Sequence, residues 1–142
     1  MKIVMLFLMM LSVPALASLG GNAASIDADR AAFQANLAST RFPAYTQHFL
    51  TLPSGTEVSE YVDNARGVVF GVAWRGPVMP DLRQLLGANY DAYVNGIHAG
   101  MGPASVSTPD LVVNSGGHMR AFSGVAYLPQ QLPKGVSPQD IQ

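Results

Sequence analysis

Cysteine is absent from this chain, and its absence excludes several kinds of site at once. Without a thiol there can be no disulfide framework, no thiolate metal ligand and no cysteine nucleophile. There is also no cysteine to carry the lipid of a bacterial lipoprotein. A domain built from this sequence must therefore be held together by its apolar core.

Charge is scarce as well, since only 12% of the residues are charged and the formal net charge is −1. Lysine occurs only at Lys2 and Lys134, and no basic run or stripe is present. Nucleic-acid binding depends on clustered positive charge that neutralises phosphates. We therefore expect no nucleic-acid partner.

No apolar run is long enough to cross a bilayer, which takes roughly 20 residues. The longest one, Ile3–Leu11, follows Lys2 and precedes a proline and the small-residue pair Ala15 and Ala17. This order is typical of a secretory signal peptide. We predict a signal peptide at residues 1–17, cleaved after Ala17, that leaves a single domain at residues 18–142, located in the periplasm or secreted, with no stable membrane anchor.

The periodicity of the remaining sequence predicts an α+β fold with flexible N- and C-terminal ends. A short N-terminal helix should precede an antiparallel sheet of about five strands, arranged as a β-meander, a long helix and a β-hairpin. Residues 99–109 are rich in Gly, Pro, Ser and Thr, which favours a loop. The predicted elements are a helix from Ser25, strands at Tyr45–Leu52, Thr56–Val62 and Val68–Trp74, a helix at Leu82–Ile97 that bends or pauses near Gly87, a strand at Leu111–Val113 and a strand from Arg120 or Ala121 to Leu128.

Several short motifs occur together in one order along the chain. They are Ser54-Gly55-Thr56, Glu60-Tyr61, Val72-Ala73-Trp74-Arg75-Gly76-Pro77, Pro80-Asp81-Leu82, Leu85-Leu86-Gly87 and Ser115-Gly116-Gly117-His118-Met119-Arg120. On these motifs the chain resembles a bacterial exported family catalogued as domain of unknown function 2844, over essentially all of residues 18–142. The resemblance implies a small secreted or periplasmic protein, and it brings no substrate, cofactor or catalytic residue with it.

The stretch from Gly116 to Arg120 is the leading candidate binding site. Backbone N–H groups at Gly116 and Gly117 could form a donor nest for an anion. His118 and Arg120, two residues apart on a strand, would project from one face, and Arg75 could supply a second positive charge. The alternative is that the two glycines form only a turn or bulge and that the His118 and Arg120 side chains face solvent.

Carboxylates and histidines give weaker signals. Glu57 and Glu60 are the only glutamates, and their spacing on a strand points them to opposite faces, which argues against a glycosidase pair. His48, His98 and His118 are too far apart in sequence to form a recognisable metal motif. We expect no metal and no cofactor.

The aspartates have structural explanations. Their positions fit helix starts and a turn. We assign Asp27, Asp29 and Asp81 to helix starts and Asp63 to a turn.

These observations favour an exported accessory or binding protein that is not an enzyme. Its partner would be another envelope or secreted protein or a small anionic ligand. The alternative is a small periplasmic hydrolase with a site centred on His118, which would need a serine and a carboxylate within hydrogen-bond reach after folding. The sequence leaves the ligand, the biological process and the oligomeric state open.

Overall fold

The computed structural model describes residues 19–97 and 104–142. These residues form an α+β fold in which one antiparallel sheet carries helices on one face. The helices are α1 (Ser25–Phe33), α2 (Leu82–Leu86) and α3 (Tyr90–Ile97), and the strands are β1 (Asn36–Arg41), β2 (Tyr45–Thr51), β3 (Glu57–Asp63), β4 (Val69–Gly76), β5 (Ala104–Ser107), β6 (Val112–His118) and β7 (Ala121–Tyr127). The sheet order is β1-β2-β3-β4-β7-β6-β5.

The predicted fold class is confirmed, and the sheet has seven strands rather than about five. The meander β2-β3-β4 lies where the sequence placed it, whereas the first strand of the hairpin β6-β7 extends beyond its predicted end at Val113 as far as His118. The two further strands are the edges of the sheet. Strand β5 lies inside the predicted loop at residues 99–109, and β1 begins at Asn36, three residues after the end of α1. Helix α1 ends at Phe33 because Gln34 adopts a left-handed conformation with φ 51°.

The long helical segment is divided at Gly87, as its sequence predicted. Asp81 begins α2 by accepting hydrogen bonds on its side chain from the backbone N–H groups of Arg83 and Gln84. Gly87, with φ 54°, then ends α2, and a single 3₁₀ turn leads into α3. The division lets the segment follow the twisted sheet and cover strands as distant as β5, which α3 contacts.

The main core lies between the helices and one face of the sheet, which we call the helix face. Val58, Val72 and Trp74 project from the sheet into this core and meet Leu85 and Leu86 of α2. Trp74 is 2% exposed, and its indole N–H has no acceptor among the described residues.

The opposite face of the sheet, which we call the open face, is covered only at one end. There Ile141 packs with Tyr61, Phe70 and Ala73 in a second, smaller core. Gly71 makes this contact possible, because a Cβ at that position would lie 2.7 Å from Cδ1 of Ile141. The rest of the open face is left to solvent as a groove.

Helices of the described residues are too short or too polar to cross a membrane.

Candidate functional site

The groove on the open face has a volume of about 810 Å³ and crosses the sheet from β2 to β5. This volume lies within the roughly 300–1,000 Å³ typical of small-molecule sites. One row of the sheet forms its floor, because cross-strand pairing aligns these residues side by side. The row consists of Phe49, Ser59, Ala73, Val125, Asn114 and Ser105.

Hydroxyl and amide groups dominate the polar lining of the groove. Gln47 Nε2 donates to Ser59 Oγ at 3.1 Å and to Tyr61 Oη at 3.3 Å. On the far side of the groove, Ser105 Oγ donates to Asn114 Oδ1 at 2.7 Å. These bonds hold the side chains in fixed rotamers while leaving the remaining donors and acceptors free for a ligand.

The chain's last described residues form one wall of the groove. Tyr61 Oη donates to the carbonyl oxygen of Gln142 at 2.8 Å and accepts from the Gln142 backbone N–H at 3.0 Å. Ile141, next to it, is 3% exposed. This wall is therefore fastened to β3 and β4 rather than laid loosely across them.

One ion pair stands at the rim. Arg75 and Glu57 are cross-strand partners, and Arg75 Nη2 lies 3.3 Å from Glu57 Oε2. The Arg75 side chain is 80% exposed, so the pair adds little stability. Its consequence for the groove is electrostatic, because among the lining side chains that the structure describes the guanidinium of Arg75 is offset by the carboxylate of Glu57.

The structure separates the five predicted binding residues. Gly116 and Arg75 line the groove, each paired with Ser123 of β7. Gly117 is also within β6 rather than in a turn, and its φ of 128° lets the backbone pass close to Ala121, whose oxygen a Cβ would meet at 2.2 Å. The prediction that the two glycines form a donor nest is therefore wrong, because both glycines are paired with β7 as part of an extended strand.

The predicted pairing of His118 and Arg120 on one strand face is also wrong. Strand β6 continues to His118, which pairs with Ala121, so Met119 and Arg120 form the hairpin turn. Arg120 has a φ of 65°, a turn conformation that interrupts the alternation of side chains. Both side chains are exposed, and neither donates or accepts a hydrogen bond within the described part of the chain. Whether they bind a ligand stays a prediction.

A serine and a histidine do meet elsewhere. Ser39 Oγ lies 2.8 Å from His48 Nδ1 on the helix face of β1 and β2, and Glu60 of β3 is the cross-strand partner of His48. Burial lowers the pKa of His48, and the charge of Asp27 opposes that shift. The oxygens of Glu60 have no hydrogen-bond donor here, so the carboxylate does not orient the imidazole as a catalytic triad requires.

Glu60 instead faces Asp29 of α1, and both side chains are fully buried between the helices and the sheet. Gln84 Nε2 donates to Asp29 Oδ1 at 2.8 Å, whereas Asp29 Oδ2 and both oxygens of Glu60 meet no N–H or O–H donor among the described residues. Burial, a hydrogen bond to Asp29 and the charge of Asp29 raise the pKa of Glu60 to about 10. Burial also raises the pKa of Asp29, against hydrogen bonds from Glu60 and Gln84.

We expect these two carboxyls to share one proton, because a hydrogen bond between two carboxyl groups needs a proton on one of them and burial raises the pKa of both. The assignment of Asp29 to a helix start is wrong, whereas those of Asp81 and Asp63 are confirmed by the hydrogen bonds that they accept from backbone N–H groups.

Within residues 19–97 and 104–142, no group of three or more His, Asp or Glu could hold a metal ion.

Two sequence signals could have revealed the carboxyl pair. Asp29 lies three residues after Ile26, on the inward face of α1, and Glu60 alternates with Val58 and Val62 on the inward face of β3. Each acid thus occupies a position whose neighbours are core residues. The groove lining had no such signal, because serines and amides on an exposed sheet face are ordinary surface residues.

The fold and the groove together define a class of small antiparallel α+β protein with helices on one sheet face and a polar groove on the other. The chain belongs to the protein family of unknown function DUF2844, whose family model matches residues 15–141. The resemblance noted in the sequence motifs is thereby confirmed. No curated protein and no solved structure matches the chain.

Proposed function

We propose that this protein is an exported binding protein, without catalytic activity, whose ligand lies in the groove of the open face. The single observation that carries the proposal is the groove itself, a preformed cavity of about 810 Å³ with a defined set of hydrogen-bonding side chains. Few, well-placed polar groups on a partly apolar floor are what small-molecule sites share. Phe49 and Val125 supply the apolar part of that floor.

The chemistry of the lining favours an uncharged ligand rich in hydroxyl or amide groups. Gln47, Ser59 and Asn114 can each donate and accept hydrogen bonds, whereas the charges of Arg75 and Glu57 offset one another. Hydroxyls and amides bind and orient a ligand, but near neutral pH they do not exchange protons as a catalytic acid or base must. This supports binding rather than hydrolysis.

Export places the groove in the periplasm or outside the cell, and the fold is compatible with the proposed cleavage. The backbone N–H of Leu19 donates to the carbonyl oxygen of Leu85 at 3.1 Å, and the backbone N–H of Gly20 donates to the carbonyl oxygen of Val69 at 2.8 Å. The packed domain thus begins two residues after Ala17. A ligand that meets this groove would be a soluble molecule of that compartment or an exposed part of another envelope protein.

Two probes test the proposal by nuclear magnetic resonance titration of the ¹⁵N-labelled protein. A chitin tetrasaccharide presents neutral hydroxyl and acetamide groups, and inorganic phosphate presents the small anion that the sequence suggested. We expect the tetrasaccharide to shift the resonances of Gln47, Ser59 and Asn114 in a saturable manner, and phosphate to leave them in place. Saturable shifts with phosphate alone would make the ligand an anion and overturn the neutral class.

A groove-filling variant shows whether the groove is the site. Gly116→Phe places a ring in the groove without disturbing the strand, because a Cβ at Gly116 has no neighbour within 4 Å. Gly116→Ala is the matched control, since it changes the same backbone position and adds one methyl group. We expect Phe to weaken tetrasaccharide binding at least about tenfold, which corresponds to about 1.4 kcal/mol, and Ala to leave it within about twofold. Equal affinities for the two variants, or no binding of either probe to the wild type, would contradict the proposal.

A further inference from the structure

Strand β1 is an edge of the sheet with little protection. All six of its residues are exposed, and within the described chain its only neighbour is β2. Natural edge strands are usually short, bulged, or interrupted by proline or lysine, because free backbone groups invite pairing with another strand. β1 has none of these features: its pairing with β2 is continuous over six residues, and Arg41 is its one charged residue. The opposite edge, β5, has only four residues.

The pairing with β2 determines which backbone groups of β1 are free. Phe42 N–H donates to the Tyr45 carbonyl at 2.8 Å, so these two residues form a hydrogen-bonded pair. In an antiparallel ladder such pairs alternate with pairs that do not exchange hydrogen bonds. Asn36, Ala38 and Thr40 therefore bond to β2. The N–H and C=O groups of Leu37, Ser39 and Arg41 point outward.

We propose that β1 pairs with β1 of a second copy of this chain, antiparallel and centred on Ser39, to form a symmetric dimer with one continuous sheet. In this register Ser39 lies opposite Ser39 of the second copy, and Leu37 lies opposite Arg41 on each side. All three outward-facing residues then occupy hydrogen-bonded positions. A twofold axis perpendicular to the sheet relates the copies, so the same residue pairs occur twice.

The side chains of β1 suit this register. Leu37 is 36% exposed and would pack against the aliphatic stem of Arg41 from the second copy. Ala38 would face Thr40, and Phe42, 37% exposed, would lie beside Asn36 at each end. The two Arg41 residues end up four strand positions apart, about 14 Å at 3.4 Å per residue. That exceeds the Debye length of about 8 Å at physiological ionic strength, so their repulsion is weak.

The dimer would also place both grooves on the same face of one sheet. The axis keeps helix faces on one side and open faces on the other. A ligand with two copies of the bound group could then engage both grooves, and its second contact would be intramolecular. The dimer itself does not depend on what the groove binds, so the two proposals fail independently.

Molecular mass in solution tests the pairing directly. The full chain is expressed with its own N-terminal segment, purified, and measured by sedimentation equilibrium at protein concentrations up to about 1 mM. This range detects dimers with a dissociation constant as weak as about 1 mM, which corresponds to about −4 kcal/mol. We expect a reversible monomer–dimer equilibrium for the wild type. Ser39→Pro removes one outward-facing N–H and no backbone hydrogen bond to β2, so this variant should be monomeric. Ser39→Ala keeps that N–H and, like the proline variant, loses the side-chain contact with His48, so it is the matched control and should dimerise as the wild type does.

A second variant and a second measurement guard against misfolding of the proline variant. Ser39→Lys sets two ammonium groups opposite each other on the axis and should also be monomeric. Amide hydrogen exchange then distinguishes the two rows of β1. The amides of Leu37, Ser39 and Arg41 should become protected as protein concentration rises, whereas those of Ala38 and Thr40 should be protected at every concentration.

Three results would overturn the proposal. The first is a wild type that stays monomeric over the whole concentration range, as it would if β1 pairs with a strand of a different protein. The second is a proline or lysine variant that keeps its far-ultraviolet circular dichroism and dimerises like the wild type. The third is concentration-dependent protection at residues outside β1 with none at Ser39.

Discussion

Asp29 and Glu60 are the residues whose chemistry departs most from the ordinary. Two carboxyl groups out of water cannot both ionise without a counter-charge, and no cation among the described residues pairs with either. We expect the fold to accommodate them by holding one proton between them, beside the hydrogen bond that Gln84 donates to Asp29. The two acids carry no burial penalty in the unfolded chain, so the free energy of unfolding should depend on pH.

Replacing Glu60 by glutamine should remove this dependence. Because the folded-state pKa of Glu60 is raised to about 10, its contribution to stability is complete below the unfolded pKa and is lost as the pH rises toward 10. Between pH 7 and 8.5, above the titration of histidine, the unfolding free energy of the wild type should fall by about 1–2 kcal/mol. Glu60→Gln keeps an N–H donor for Asp29 but has no proton that titrates. The fall in unfolding free energy between the two pH values should therefore largely disappear in urea denaturation curves.

The control for this prediction is Glu57→Gln. It makes the same chemical change on the same strand but at the rim of the groove, where the carboxylate is paired with Arg75 and partly exposed. The Glu57 variant should keep the wild-type pH dependence. A Glu60 variant whose unfolding free energy falls as steeply as that of the wild type would refute the shared proton.

The secondary structure elements show what the sequence can and cannot predict. The sequence located β3 and the helix that begins after Asp81 to within one or two residues. Both elements bury one face, and buried positions are apolar at a regular spacing along the sequence. β1 has no buried row, and its residues carry no such pattern. Gln34, which ends α1 in a left-handed conformation, is not a residue that marks a helix end. Strand β1, an edge strand that is held by pairing and has no buried row, was therefore missed.

The candidate site was predicted less well than the fold for a related reason. Gly116 and Arg75 were identified because glycine pairs and arginines are uncommon features in this chain, and both line the groove. The prediction that His118 and Arg120 share a strand face failed because the turn lies three residues later than the glycines suggested. Ser59 and Asn114 became visible only when cross-strand pairing placed them in one row.

The C-terminal segment that walls the groove should depend on one hydroxyl group. Tyr61 Oη exchanges two hydrogen bonds with the backbone of Gln142, at 2.8 and 3.0 Å. Tyr61→Phe keeps the ring in its core position and removes both bonds, at a cost of about 1 kcal/mol because water can solvate the exposed Gln142 backbone. The amide of Gln142 should then exchange with solvent at least about fivefold faster by nuclear magnetic resonance, as a loss of about 1 kcal/mol implies.

Tyr45→Phe serves as the matched control. Tyr45 belongs to the same aromatic cluster, with its ring 5.7 Å from that of Tyr61, but its hydroxyl bonds to none of the described residues. Its replacement should leave the exchange of Gln142 unchanged. Equal rates in the two variants would mean that Ile141 packing alone holds the segment.

The chain combines a cysteine-free domain with an N-terminal segment whose sequence predicts export. Seven strands and the helices bury a continuous apolar core, from Leu19 at 1% exposure to Ala126 at 0%. An oxidising compartment would not penalise this design, because the chain has no thiol to oxidise. The first described residue, Leu19, is already part of the core and lies two positions after Ala17 of the predicted cleavage site.

We predict processing after Ala17. Small residues mark the cleavage site of a signal peptide, and the hydrogen bonds of Leu19 and Gly20 would bury the chain beside that site once the domain has folded. We therefore expect cleavage to precede or accompany folding. Intact-mass spectrometry of the periplasmic fraction should find a protein that begins at Ser18.

Ala17→Arg should leave a longer, membrane-associated precursor, whereas Ser18→Ala, which keeps a small residue next to the site, should be processed normally. A full-length protein in the cytoplasmic fraction of wild-type cells would contradict export, and a start beyond Leu19 would be incompatible with the packed N-terminus.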